Sequence, residues 1–146
     1  MNRIPELRSL SSDHQQGLVL AVEAKRIAAG KDSTPLTEAW REVERRFEIE
    51  LEPHFRIEEE FLAEPLKAAG ELELVKEFSL QHKTLRDCVN PASGRTAEDL
   101  ARFGRLLDEH IRFEERVFFE AAQQRLTGEE LKKVAEACLN RSSGLS

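Results

Sequence analysis

The chain has 146 residues, 34% of them charged and 40% hydrophobic, with a formal net charge of -6. That length predicts one domain, 1–146, able to bury a core without staples. Acidic and basic residues are interspersed with no basic block, which argues against nucleic acid as a partner. No stretch approaches the roughly 18 apolar residues of a membrane span, and Met1 to Leu10 lack the apolar segment of a secretory signal. Cys88 and Cys138 are the only cysteines and form no Cys-x-x-Cys pair. They read as reduced thiols of a cytoplasmic protein.

Taken in order, the chain predicts helices throughout. The first starts around Ser9 to Ser12, with Ser11, Ser12 or Asp13 as its cap, and stops at Gly30. The second opens at Thr34-Pro35, a capping residue followed by proline at the first helical position, and runs to about Leu62. Pro53 falls inside it and is expected to remove one backbone hydrogen bond and bend it. A third helix covers roughly Glu71 to Val89, with Leu72, Val75, Phe78, His82, Leu85 and Val89 on one stripe. The fourth starts near Thr96 and ends about Leu126. A short fifth helix, about 127–140, follows a capping-box spacing at Thr127, and the tail after Asn140 is expected to fray. Nothing alternates with period two, so the expected fold is all-α. It is an up-down-up-down four-helix bundle, its core about 10–125, with a short additional C-terminal helix.

Two stripes carry polar residues where a bundle seam calls for Leu or Val. On the fourth helix Phe103, Leu107, His110, Glu114, Val117 and Ala121 follow seam spacing. On the second, Trp40, Phe47, Leu51, His54, Glu58 and Phe61 do the same. In each, His and Glu stand four apart, one turn along a single face. A buried carboxylate needs a partner, a proton or a metal. The sequence around them repeats, as His-Phe-Arg-Ile-Glu-Glu at 54–59 and His-Ile-Arg-Phe-Glu-Glu at 110–115. Each motif helix follows a helix with one lone histidine, His14 or His82. The four histidines therefore fall one per main helix, in two hairpins related by a pseudo-twofold axis. Arg56 and Arg112 are expected outside as solvated charges, and pairs such as Glu42 with Arg46 as surface decoration.

This pattern predicts a two-metal site. His14 and His54 would bind one ion, His82 and His110 a second, with Glu58 and Glu114 bridging them. Carboxylate oxygens can span two cations and offset their charge. Imidazole with carboxylate favours iron or manganese, and zinc also binds such sets. An oxide or hydroxide bridge would bring each ion to five ligands and leave one position for a small molecule.

These motifs resemble the hemerythrin-like, HHE cation-binding family over about residues 10 to 125. The resemblance implies a four-helix bundle with a non-haem di-iron centre. Oxygen-carrying members have His-x-x-x-His on the third helix, whereas Phe78 and Arg86 stand one turn from His82 here. The arrangement is closer to hemerythrin-like domains of iron- and oxygen-responsive proteins, with four histidines and bridging glutamates. Oxygen carriers space their carboxylate five residues after the histidine, which would select Glu115. The repeat and the seam select Glu114, with Glu115 and Glu59 as supporting or alternative ligands. Ferritin-type bundles use Glu-x-x-His, carboxylate first and three apart, and do not match.

The function expected is a di-iron protein that binds or senses dioxygen, nitric oxide, peroxide or iron. The alternative is a di-iron oxidoreductase of peroxidase or nitric-oxide-reducing or repair type. With no Tyr and no rubredoxin-like cysteine knuckle, it would need an external electron donor. A bundle that has lost its metal is the third class, and the intact residues in both halves speak against it.

Overall fold

The computed structural model describes residues 3–142, in which every regular element is helical. A 3-10 turn, Pro5–Leu7, leads into α1, Arg8–Ala28. Helix α2 is one continuous run over 36–68. It comprises Leu36–Arg46, Glu52–Glu58 and Glu64–Ala68, joined by π-helical turns at Phe47–Leu51 and Glu59–Ala63. Helix α3 is Leu72–Val89. Helix α4 covers 97–125 as Ala97–Phe113, a π-helical turn at Glu114–Phe118, and Phe119–Arg125. Helix α5 is Gly128–Ser142. None is long and apolar enough to cross a membrane.

The helix ends show where local chemistry decides. Gly30 (φ 75°) and Gly70 (φ 98°) take the left-handed conformation that closes α1 and α2. In both turns the next amide reaches back to the last helical turn, Lys31 N to Arg26 O and Glu71 N to Leu66 O. Thr96 caps α4 in a reciprocal box with Asp99, and Thr127 does the same for α5 with Glu130. Three expectations need correction. Helix α1 starts earlier, at Arg8, without a side-chain cap, because the 3-10 turn already leads the backbone into it. Pro35 is itself the cap of α2, and the Thr34 hydroxyl turns to Asp32. Helix α2 continues past Leu62 to Ala68. Residues 143–146, at the end of the tail expected to fray, lie outside the described residues; α5 itself passes Asn140 and reaches Ser142.

Pro53 is absorbed by the wider turn before it. Glu52 N donates to Phe47 O, five residues back, and Glu64 N does the same to Glu59 O just before Pro65. A π turn accommodates the missing amide and the crowding ring without ending the helix. It also inserts one residue into the helical count, which rotates the following stripe by about one position. Phe61, Val117 and Ala121 were the expected seam residues. The fully buried ones are instead Leu62, Phe118 and Ala122, and Val117 is 46% exposed.

Helices α1 and α4 pair most extensively. Their approach is close enough that a Cβ on Gly104 would lie 2.8 Å from the Ala21 carbonyl oxygen. The core lies in two apolar clusters. One gathers Leu7, Leu10, Leu62, Phe78, Phe118 and Val134. The other gathers Leu20, Trp40, Phe47, Phe55, Phe103 and Leu107. Cys88 and Cys138 are buried thiols outside any disulfide, and burial pushes both upward from the ordinary thiol range. Between the two clusters, along every one of the first four helices, sits a polar layer.

Candidate metal centre

That layer consists of His14, His54, Glu58, His82, His110 and Glu114, all buried and the two glutamates completely so. The structure thus brings all six expected residues together. Each histidine replaces an apolar residue on its stripe, between Leu10 and Leu20 on α1 or between Phe78 and Leu85 on α3. The Nε2 atoms face inward onto the two carboxylates. His14 Nε2 is 2.8 Å from Glu114 Oε1, and His54 Nε2 is 2.8 Å from Glu58 Oε2. His82 Nε2 lies 3.3 Å from Glu58 and 3.4 Å from Glu114, and His110 Nε2 lies 3.1 Å from Glu114.

These donors form two overlapping groups. His14, His54, Glu58 and Glu114 make one, and Glu58, His82, His110 and Glu114 the other. Within each, the ligand atoms all lie within 4.8 Å of one another. Glu58 and Glu114 belong to both.

Most of the contacts in this layer are not hydrogen bonds. His54, His82 and His110 Nε2, both oxygens of Glu58, and Glu114 Oε2 are buried without any hydrogen-bond partner. A buried polar atom left without a partner costs about 1–3 kcal/mol, so this layer calls for protons or cations between its donors. Cations placed among them remove that penalty. The donor set of four imidazole nitrogens and two carboxylates therefore fits two divalent ions, of the type that prefers nitrogen and oxygen over thiolate.

The outward Nδ1 atoms are held just as systematically. His14 Nδ1 donates to Glu115 at 2.6 Å and His82 Nδ1 to Glu59 at 2.7 Å. His54 Nδ1 donates to Asp13 at 2.8 Å and His110 Nδ1 to the Gln81 carbonyl at 2.7 Å. Carboxylate and amide oxygens can only accept, so each Nδ1 carries a proton. The Nε2 atoms of His54, His82 and His110 face the centre without a hydrogen-bond partner, while His14 Nε2 also bonds Glu114. Arginines sit behind these acceptors: Arg3 near Glu115, Arg86 on Glu59 and Arg141, from α5, on Asp13. Ser11 also donates to Glu115. Phe55 stacks on His82 and Phe119 on His14, with Arg86 and Arg3 on their respective rings.

Several of these supports escaped the sequence reading. Ser11 and Asp13 were expected as helix caps but point into this outer layer. Helix α5 contributes as well, because its Arg141 reaches the same layer. A signal existed: Asp13 and Gln81 each directly precede a lone histidine, at equivalent places in the repeat. Glu115 and Glu59 hold imidazoles from outside rather than joining the central groups. Phe78, one turn before His82, is fully buried and stacks on Phe118. Arg86, one turn after, is committed to Glu52 and Glu59. Arg56 and Arg112 are exposed, paired with Glu52 and Asp108. Glu42 pairs with Arg45, while Arg46 turns to Glu50 and the Gln16 carbonyl.

The charges of the layer are tightly coupled. Burial opposes protonation of His14, but hydrogen bonds to Glu114 and Glu115 push it up to about 9. Burial is likewise outweighed at His82, where Glu114, Glu58 and Glu59 raise it to about 10. His54 is raised well above its ordinary range by Glu58 and Asp13, against its burial. Burial disfavours charge on Glu114, yet His110, His14 and His54 hold it well below the usual carboxylate range. Without metal the layer holds protons where it would otherwise hold cations.

A cavity of about 310 Å³ adjoins the layer between α1, α2 and α4. It touches His14, His54, His110 and Glu114, and Leu20, Leu51 and Ile111 are among its apolar walls. Exposed Gln16, Ile49 and Glu50 mark its outer end. A small molecule can therefore reach the His54 side of the centre.

The model of the hemerythrin HHE cation binding domain matches residues 7–122. No curated protein and no solved structure matches the chain. The matched stretch contains all six clustered residues and both halves of the repeat. With the match covering most of its length, this chain belongs to the hemerythrin HHE cation-binding domain family.

Proposed function

We propose that this chain is a non-haem di-iron protein that binds or senses a small ligand such as dioxygen, nitric oxide, peroxide or iron itself. Its ligands are His14, His54, Glu58, His82, His110 and Glu114, within a single domain whose first four helices run up-down-up-down. The observation that carries the reading is the pair of donor groups sharing Glu58 and Glu114, with six buried atoms unsatisfied. Manganese and zinc suit the same donors, and the family match favours iron.

Two iron ions bridged by oxide or hydroxide supply, when bound, a redox-active Lewis-acid centre. The protein's own part is to hold four imidazoles in the right tautomer and to neutralise the ions with two carboxylates. It also keeps the site under apolar walls while one cavity admits a small molecule. The absence of Tyr and of a redox cysteine pair favours binding or sensing over turnover.

The test is metal content per chain together with a visible spectrum after anaerobic loading with ferrous iron and exposure to air. Two irons with near-ultraviolet charge-transfer absorption are expected. One tightly held zinc, or no metal, would defeat the proposal. Sustained consumption of peroxide or nitric oxide with a reductant, above that of free iron, would move the protein to the oxidoreductase class.

A further inference from the structure

The pseudo-twofold arrangement of the outer layer has one exception. In both halves the second glutamate of the repeat holds the lone histidine of another helix, Glu59 on His82 and Glu115 on His14. In both halves the residue before the lone histidine holds the motif histidine, Asp13 on His54 and Gln81 on His110. Three of the four acceptors are carboxylates. The fourth is an amide.

The amide's orientation is fixed from both sides. Gln81 Nε2 donates to Glu77 Oε2 at 2.9 Å, which leaves its carbonyl oxygen facing His110 Nδ1. An amide oxygen pulls less on the imidazole proton than a carboxylate does, so its imidazole is the weaker electron donor at Nε2. Net charge does not supply the difference, because Glu115, Asp13 and Glu59 each lie within 4 Å of an arginine. The acceptor on the fourth imidazole does.

We infer that the two cation positions are inequivalent, the His14/His54 position binding tightly and the His82/His110 position weakly, and that Asp13 against Gln81 sets the difference. This rests on the two-ion reading above. It makes Asp13 and Gln81 positioning residues that act through His54 and His110. The weaker position is then the one to be vacated or exchanged first when iron is scarce.

The experiment titrates the metal-free full chain with ferrous iron under anaerobic conditions, followed by calorimetry and metal analysis. The unmodified chain should show two steps of unequal affinity. The paired exchange Glu77→Gln with Gln81→Glu swaps carboxylate and amide at constant net charge and preserves a hydrogen bond between them. It should tighten the weaker step by about tenfold or more and leave the stronger one in place. Asp13→Asn should loosen the stronger step by a similar factor, and circular dichroism checks that the variant remains folded. If it does not fold, the paired exchange decides alone. Two ions bound with equal affinity would overturn the inference, as would a paired exchange that moves neither step or an Asp13→Asn effect on the weaker step. One ion or none per chain would instead overturn the two-ion reading itself.

Discussion

Glu59 Oε2 stands 2.7 Å from His82 Nδ1 and, on its other side, 2.6 Å from an Arg86 nitrogen. This chain of contacts runs from the surface to the centre and determines which ring nitrogen is available there. The surrounding charges hold Glu59 down at about 2, since His82 and Arg86 outweigh its partial burial. It therefore stays an acceptor at neutral pH.

Replacing Glu59 by Ala should weaken metal binding about 10–100-fold without abolishing it, because the ring remains but its tautomer and orientation are no longer fixed. Competition with a chelator of known affinity measures this. An unchanged affinity would mean that the ring is held by the stacked Phe55 and the tilted Phe78 alone.

Glu58 contributes to both donor groups, so Glu58→Ala should reduce metal content below two ions per chain. It should also largely abolish the rise in melting temperature that added ferrous iron is expected to give the unmodified chain, since such a rise follows from binding to the folded state. Metal analysis and paired thermal melts report the two effects. A variant that still holds two ions would remove Glu58 from the ligand set.

The metal-free and metal-loaded proteins should respond to pH in opposite directions. His14 and His82 are raised from 6.5 to about 9 and about 10. A raised folded-state value gives stability that is complete below the unfolded value and lost as pH climbs through the folded one. Metal-free stability should therefore fall between about pH 6.5 and 10. Metal affinity should rise over the same interval, because each ion displaces protons from these rings. Denaturant melts of the metal-free chain and proton release during loading, read with a pH indicator, test both signs.

The register shift after the π turn at Glu114–Phe118 separates two neighbouring residues. Phe118→Ala should cost about 3–5 kcal/mol, as for a large side chain lost from a core. Val117→Ala should stay within about 0.5 kcal/mol, because Val117 is half exposed. Urea denaturation distinguishes the two. The reverse order would mean that the unbroken seam spacing, and not the π turn, describes α4.

Those two residues also show where sequence reading stops. The stripes up to His54, Glu58, His110 and Glu114 follow α-helical spacing and are legible, as is the family they belong to. Past each motif the spacing breaks by one. Nothing in Val117, Phe118 and Phe119, all apolar, marks which of them the wider turn will bury. Pro53 was visible, but its effect depends on the preceding turn widening, which single-residue propensities do not encode. The outer layer was hidden for another reason. Ser11 and Asp13 sit where helix caps are common, and Gln81 is an ordinary polar residue until His110 arrives 29 positions later. Arg141 becomes legible only when α5 lies against α1.

The polar layer also divides the apolar interior, with Leu10, Phe78 and Phe118 in one cluster and Leu20, Phe55 and Phe103 in the other. Without cations, the two clusters are joined only across this polar layer of protonated imidazoles and carboxylates. The layer is the natural place for one cluster to open before the other, and amide exchange of the metal-free chain should fall into two blocks of different protection. Cations bound across that plane should merge the blocks into one. A metal held there would do more than occupy a site: it would set whether the protein opens in one step or two.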